Sequence, residues 1–304
     1  MHFVVDASAR ARLLVTGPDA GAFLHRLSTQ HVVDLQVGDA RLAVLTTDKG
    51  RIKDLVHHAV VDVPGRGAGV LLIGYRASAA DLLAWLDRYF FTEKLEIQDV
   101  TTQTGCADVD AETAEALVPG SLGLAPWQMK QRGDVVVVRG FDRVTSAGAP
   151  LQAFVAFSFG EPLPAPTLSP VDDASMRAAA GIPDAELADM HTPLDLDLHD
   201  AIHWAKGCYI GQEVIARLDT YGKQRRHLAG IVIDPAGIKV DDEVFAGAEK
   251  VGVVTSVAPS IWGPGLPSVL ARVKIANDVV DVTVGAAAIP GRLVARQAAQ
   301  RPHE

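Results

Sequence analysis

The sequence predicts a chain of mixed helices and strands that ends in a small antiparallel β-barrel. In the first half, strand-like runs such as 42–47 and 135–138 alternate with helical patterns such as 79–91. From residue 228 onward, short strand-like runs are separated by turns rich in Gly and Pro, which is typical of a small barrel. With 304 residues, the chain is long enough for two or three domains.

The composition argues against several classes of partner. The net charge of −9 disfavours a nucleic-acid backbone, because phosphates require a basic face. No uncharged apolar run is long enough to span a membrane, and the first residues do not resemble a signal peptide. We therefore expect a cytoplasmic protein. Two cysteines, Cys106 and Cys208, are too few for a four-cysteine metal site or a disulfide framework.

The most informative segment is residues 206–213, with the sequence K-G-C-Y-I-G-Q-E. Gly207 and Gly211 can adopt positive φ or allow another chain to approach closely, so a loop built on them can hold Cys208 outward. Cations near Cys208 in sequence would favour its reactive thiolate form if they also lie near it in space. The alternative is that Cys208 is a small buried hydrophobic residue, as most lone cysteines are.

This segment resembles the signature K-G-C-Y-x-G-Q-E of the YgfZ family, folate-binding relatives of the glycine-cleavage T-protein that support iron–sulfur proteins. All eight positions of the motif match. Residues 17–29 and the Gly-Arg pair at 50–51 resemble other family motifs and occur in the family's order. The site residues implied by the signature are Cys208 as the catalytic thiol and the loop residues Lys206, Gly207, Tyr209, Gly211, Gln212, Glu213 and Arg217.

The resemblance also implies an architecture, an α+β fold with a T-protein-like arrangement of three modules around a central opening that binds folate. Residues 1–222 are expected to form two interleaved α+β modules with the folate-binding region and the signature loop, and residues 223–304 a C-terminal β-barrel-like domain. The implied cofactor is tetrahydrofolate or a derivative, and the implied partners are iron–sulfur proteins or their assembly machinery. Basic residues after Gly222 could meet the glutamate tail of the folate.

Two carboxylates are candidate folate ligands. By its order after a strand and a short loop, Asp81 corresponds to a T-protein carboxylate that meets folate, although Asp81 also fits a capping box with Ser78. Asp195 stands where relatives carry Glu, and a carboxylate there could accept the N–H and amino donors of the pterin ring. The alternative for Asp195 is an ordinary loop carboxylate. Asp197 stands where relatives carry Asn.

His199 and His203 are four residues apart and could join Cys208 as metal ligands, but no fourth ligand is suitably spaced, so we predict no metal site. Three functions remain open. An auxiliary factor would use the cysteine to form a mixed disulfide, accept a one-carbon unit or contact a cluster-bearing partner. A folate-dependent aminomethyltransferase or demethylase would use Asp81 and Asp195 to stabilise developing positive charge. A T-like scaffold would bind a partner and no folate.

Overall fold

A computed structural model describes residues 1–160, 162–221, 226–274 and 280–295 of the chain. Its first sheet is antiparallel throughout, with the strand order β3-β4-β5-β2-β6. The five strands are β2 (Arg12–Thr16), β3 (Ala40–Thr46), β4 (Ile52–Val63), β5 (Gly67–Gly74) and β6 (Glu96–Asp99). The turn between β3 and β4 contains Gly50 at φ 66°, the conformation that favours glycine there.

The second sheet is also antiparallel, and it takes its edge strand from the start of the chain. Its order is β1-β7-β12-β9-β8. The strands are β1 (Val4–Asp6), β7 (Gly105–Asp110), β8 (Met129–Arg132), β9 (Val135–Arg139) and β12 (Ala153–Ser158). An unbroken run of valines makes β9 a fully buried strand. A short ladder of β10 (Arg143–Val144) and β11 (Pro150–Leu151) extends from this sheet.

In the part of the chain that the structure describes, five α-helices flank the sheets, and three of them begin at side-chain caps. They are α1 (Ala20–Leu27), α2 (Ala79–Asp87), α3 (Ala111–Leu117), α4 (Pro170–Ala179) and α5 (Gln212–Thr220). Ser78, Asp110 and Ser169 accept backbone N–H groups of the first turns of α2, α3 and α4. The predicted helix over 79–91 ends earlier, because the chain tightens into a turn after Asp87.

The C-terminal strands form a closed barrel in the order β13-β16-β15-β14-β17-β18. They are β13 (His227–Val232), β14 (Glu243–Ala246), β15 (Glu249–Val257), β16 (Val269–Val273), β17 (Val280–Val284) and β18 (Ile289–Ala295). The predicted α+β class and the predicted small antiparallel barrel are thereby confirmed. The expected boundary between residues 222 and 223, and the basic residues at 223 and 225, fall in the segment 222–225, outside the described residues.

The modules meet at one apolar cluster. Leu42 and Leu55 of the first sheet pack there with Leu198 of the segment before the signature loop and with Leu228 and Leu270 of the barrel. All five side chains are almost completely buried, so their transfer from water favours this arrangement of the modules. Among the described helices, none is long and apolar enough to cross a membrane.

Candidate functional site

The signature loop, residues 206–213, is fastened to the end of helix α1 by its lysine. The Nζ atom of Lys206 donates to the carbonyl of His25 at 2.5 Å and to the carbonyl of Ser28 at 2.6 Å. These carbonyls lie at the C-terminal end of α1, where a cation is favoured by the helix dipole. Burial lowers the pKa of Lys206 to about 8. Lys206 therefore positions the loop and points away from solvent.

Two glycines shape the loop in different ways. Gly211 has φ 81°, and a Cβ atom there would lie 2.4 Å from the carbonyl oxygen of Thr47 and 2.9 Å from Cα of Gly50. Only glycine allows the loop to approach the β3–β4 turn this closely. Gly207 also has positive φ, 89°, but a Cβ atom there would have nothing within 4 Å. Gly207 is therefore needed only for its positive φ, whereas Gly211 is also needed for the close approach of the loop to the β3–β4 turn.

The segment just before the loop is anchored to the residues that follow α1. The backbone N–H of His203 donates to the carbonyl of Thr29 at 2.9 Å, and the Thr29 hydroxyl donates to the carbonyl of Ala201 at 2.5 Å. Thus residues 17–29, the turn at 50–51 and the signature loop, which are far apart in sequence, meet at one place.

Cys208 is exposed at this junction, whereas Cys106 is buried. Burial raises the pKa of the Cys106 thiol to about 11, which disfavours its reactive form. Of the cations that lie near Cys208 in sequence, Lys206 is tied to α1 and Arg217 pairs with Glu213 at 2.5 Å. The accessible thiol of the chain is therefore Cys208.

The remaining motif residues build the start of helix α5. Gln212 is its first residue, and Glu213 and Arg217 face solvent on consecutive turns. Tyr209 packs against Lys206, with Nζ 4.9 Å from the ring centroid, and burial raises the pKa of Tyr209 to about 12. His203 lies outside the short 3-10 turn at His199–Ala201, so the helical spacing considered for the two histidines does not form. Within the described residues, no three His, Cys, Asp or Glu side chains are grouped to hold a metal.

A cleft lies between the first sheet, the loop after β9 and the segment before the signature loop. Its outer compartment has a volume of about 290 Å³, and its inner compartment has a volume of about 120 Å³. The two compartments share the lining residues Gly140, Phe141, Arg143 and Ile182, so they are adjacent. Neither Cys208 nor any other residue of the signature loop lines it.

The outer compartment combines aromatic rings with carboxylates. Trp127 and Phe141 form an edge-to-face pair with centroids 4.8 Å apart, and both line the compartment together with Asp142, Asp197 and Asp200. Trp127 has φ 68° and Asp197 has φ 51°. Left-handed conformations are unusual outside glycine and concentrate at functional sites. Both residues are held there while facing the same cavity.

The inner compartment is lined by six charged side chains, which are Arg10, Asp108, Arg143, Asp173, Arg177 and Asp184. Asp108 is their centre, because Arg10 contacts it at 2.5 and 2.7 Å and Arg143 at 2.9 Å. Although burial raises the pKa of Asp108, these two arginines outweigh it and hold that pKa below its usual value. Arg143 is buried, with 5% of its side chain exposed.

Two adjacent histidines on β4 lie between the cleft and the residues that hold the signature loop. His57 contacts the hydroxyl of Tyr75 at 2.9 Å on the cleft side, and His58 contacts the hydroxyl of Ser28 at 2.9 Å beneath the loop. Their opposite directions follow from the alternation of side chains along a strand. Burial lowers the pKa of each to about 3, so both are neutral near pH 7.

The two candidate folate carboxylates lie outside the cleft. Asp81 is exposed in the first turn of α2, where it accepts from the hydroxyl of the capping residue Ser78 at 2.7 Å. Asp195 accepts from the backbone N–H and the hydroxyl of Thr192, both at 2.9 Å. Neither lines either compartment. Asp197, two residues further on, lines the outer compartment, and its Oδ1 atom contacts Nδ1 of His227 at 2.9 Å.

Sequence reasoning missed most of the cleft. Trp127, Phe141, Arg143 and Asp173 come from separate parts of the second sheet and its flanking segments. One local feature could have indicated the cleft, which is the polar and aromatic run directly after the buried valines of β9. Such residues at the end of a buried strand lie in a loop at the edge of the sheet, where binding residues are common.

Comparison with known proteins supports the fold. Residues 2–122 match the family model of the GCVT N-terminal domain. The chain also has a TM-score of 0.73 with the crystal structure of glycine cleavage system aminomethyltransferase T from Bartonella henselae, at 16% identity, with 97% of this chain and 84% of that chain covered. The T-protein-like fold is thereby confirmed.

Three curated relatives have different names. A chloroplastic protein of Arabidopsis thaliana named as a transferase is 27% identical over 86% of this chain, which spans 63% of that protein's length. The aminomethyltransferase of Geobacillus kaustophilus is 26% identical over 83% of the chain and 73% of its own length. A mitochondrial iron–sulfur cluster assembly factor, the IBA57 homolog of Chaetomium globosum, is 24% identical over 77% of the chain and 57% of its own length.

Proposed function

We propose that the protein binds tetrahydrofolate, or a derivative, in the cleft and supports the assembly or repair of iron–sulfur proteins through the thiol of Cys208. The observation that carries this proposal is the construction of the signature loop. Lys206, Gly211 and the residues around Thr29 fix its course, while Cys208 itself is left exposed. A cysteine that served only to fill a core would not require an exposed position on so constrained a loop.

The composition of the cleft supports the folate part of the proposal. Aromatic faces such as those of Trp127 and Phe141 can pack against the flat rings of a folate. Carboxylates can accept the N–H and amino donors of a pterin. Asp197 is the carboxylate we assign to this role, because it lines the cavity, whereas Asp81 accepts from the Ser78 hydroxyl and Asp195 accepts from Thr192.

The iron–sulfur part draws on the similarity to the IBA57 homolog and on the exposed thiol, which could contact a partner protein. The test is complementation of a strain that lacks its own copy, with an iron–sulfur enzyme assayed under oxidative stress. We expect wild type to restore the activity and Cys208→Ala to restore little of it. The matched control is Cys106→Ala, which removes the buried thiol and should restore activity.

Equal rescue by Cys208→Ala and wild type would contradict the proposed role of the thiol. In vitro, we expect Cys208 to react with iodoacetamide while Cys106 stays protected in the folded protein. Alkylation of Cys208 no faster than that of a model thiol would count against a specially reactive cysteine, because exposure alone would then account for it.

The second candidate function is a folate-dependent aminomethyltransferase or demethylase. Two observations favour it, the similarity to aminomethyltransferases and the presence of Asp142, Asp197 and Asp200 in the outer compartment. Carboxylates beside bound folate could stabilise positive charge that develops during transfer of a one-carbon group.

The two functions make opposite predictions for the same pair of variants. An aminomethyltransferase would lose turnover in Asp197→Asn and retain it in Cys208→Ala, whereas the auxiliary factor would lose its effect on iron–sulfur enzymes in Cys208→Ala. A folded wild-type protein that gives no calorimetric signal with reduced folates would exclude both and leave the folate-free scaffold.

A further inference from the structure

Asp197, the carboxylate assigned to the pterin, is contacted by a histidine of the C-terminal barrel. Nδ1 of His227, the first residue of β13, lies 2.9 Å from Oδ1 of Asp197. Because an ionised carboxylate can only accept hydrogen bonds, Nδ1 carries the hydrogen and donates it. His227 itself lines neither compartment, so its effect on a ligand in the cleft would pass through Asp197.

The residues that follow Asp197 and His227 fix the two against each other. Leu198 and Leu228 pack in the apolar cluster where the first sheet meets the barrel, and at most 3% of either is exposed. Within the barrel, His227 also pairs with Val273 of β16. The packing of the barrel against the rest of the chain therefore presents the imidazole to Asp197.

The contact between His227 and Asp197 joins residues 30 positions apart, whereas Asp195 accepts from Thr192 within its own turn. Asp197 has φ 51° at the end of the 3-10 turn Leu194–Leu196. The imidazole of His199 lies 4.0 Å from the same Oδ1 atom, beyond hydrogen-bond distance. A donor that holds one carboxylate oxygen restricts the rotamers of the aspartate before a ligand arrives.

We infer that His227 is a positioning residue for bound folate, which holds Asp197 in the orientation that accepts from the N–H and amino groups of the pterin. This inference rests on the proposed binding of folate in the cleft. It makes the barrel a part of the folate site, although no described barrel residue lines either compartment. An oriented carboxylate binds a pair of donors more tightly than one that must be ordered on binding.

The test is calorimetric titration of tetrahydrofolate into variants of the full chain. His227→Leu removes the donor and should weaken tetrahydrofolate about 10-fold or more. His227→Asn should stay within about 3-fold of wild type, because the amide nitrogen of asparagine takes nearly the place of Nδ1 and can donate. The matched control is His31→Leu, which should leave the Kd unchanged. His31 also faces an aspartate, Asp34 at 3.8 Å, and lines neither compartment.

A double-variant cycle separates positioning from a purely structural role. Asp197→Ala should weaken tetrahydrofolate at least as much as His227→Leu does, and the double variant should bind no more weakly than Asp197→Ala alone. Losses that add would show that His227 acts by another route and would overturn the inference. Melting temperatures confirm folding. If His227→Leu does not fold, His227→Gln takes its place with the same expected loss, because its amide reaches the position of Nε2 and not that of Nδ1.

The inference is also overturned if folded His227→Leu binds tetrahydrofolate with the wild-type Kd, or if His227→Asn loses as much affinity as His227→Leu. Either result would leave the binding of folate in the cleft intact. Absence of binding to folded wild type would instead contradict the proposed function, and the inference would fall with it.

Discussion

The signature loop and the central cleft are built on opposite principles. In the loop, backbone carbonyls and glycines fix the chain, and the side chain of Cys208 is exposed. In the cleft, buried charges fix one another around Asp108, and these charged side chains line a cavity. The proposed function uses both regions, and it therefore requires two binding events, one at the loop and one in the cleft.

The largest loss of stability is expected from a substitution that removes the central carboxylate of the charged network in the cleft. Asp108→Ala leaves Arg10 and Arg143 without their buried partner, and such losses destabilise proteins by about 3–5 kcal/mol. Urea unfolding would measure it. The control is Glu243→Ala, which breaks the half-exposed pair with Lys250 and should cost no more than about 1 kcal/mol. Similar losses in both variants would contradict a special role for the buried network.

The signature loop is expected to be most sensitive to substitution at Gly211, the glycine that lies closest to the β3–β4 turn. Gly211→Ala should lower the free energy of unfolding by about 2–4 kcal/mol, because its Cβ atom overlaps the Thr47 carbonyl and the residue keeps positive φ. Gly207→Ala meets only the conformational cost, about 1 kcal/mol. Denaturant titration of the pair would show whether contact or conformation matters. Equal losses would mean that the approach to the β3–β4 turn is unimportant.

Low pH should reduce the stability of both the cleft and the loop. His57 contacts Tyr75 of the cleft, and His58 contacts Ser28 beneath the loop. Their folded-state pKa values, about 3, lie below the ordinary 6.5, so between these values the unfolded chain binds more protons. The stability that these two histidines contribute is therefore complete above about pH 6.5 and is lost as the pH is lowered towards 3, by up to about 1.4 kcal/mol per pH unit for each histidine.

Unfolding curves at a series of pH values would check this dependence. His58→Gln should reduce the acid slope by the share of one histidine, and His57→Gln should do the same while also disturbing Tyr75 in the cleft. An unchanged slope in both variants would assign acid sensitivity to other groups.

The fold could be predicted further than the site. Strand and helix patterns are local, so the barrel, the cap at Ser78 and the Gly50 turn follow from neighbouring residues. The strands β14 and β18 are harder to predict, because Glu243–Ala246 is short and Ile289–Ala295 contains Pro and Gly, which weaken a strand pattern.

The cleft could not be predicted because long-range packing assembles it. Asp108 and Arg143 are 35 residues apart, and nothing in their local sequence shows that they meet. Asp195 was a candidate because of its position in a motif, but its side chain turns to Thr192, whereas Asp197 adopts the left-handed conformation that faces the cavity. Side-chain direction in such a segment depends on backbone geometry that sequence spacing does not reveal.

The smallest structural effect, and the most direct test, belongs to the exposed thiol. Cys208→Ser should change stability by less than about 0.5 kcal/mol. The decisive measurement is calorimetric titration of tetrahydrofolate into wild type and Cys208→Ser side by side. If the loop and the cleft are separate sites, both proteins bind with the same Kd. Absence of binding to folded wild type, or a Kd that depends on Cys208, would contradict the account.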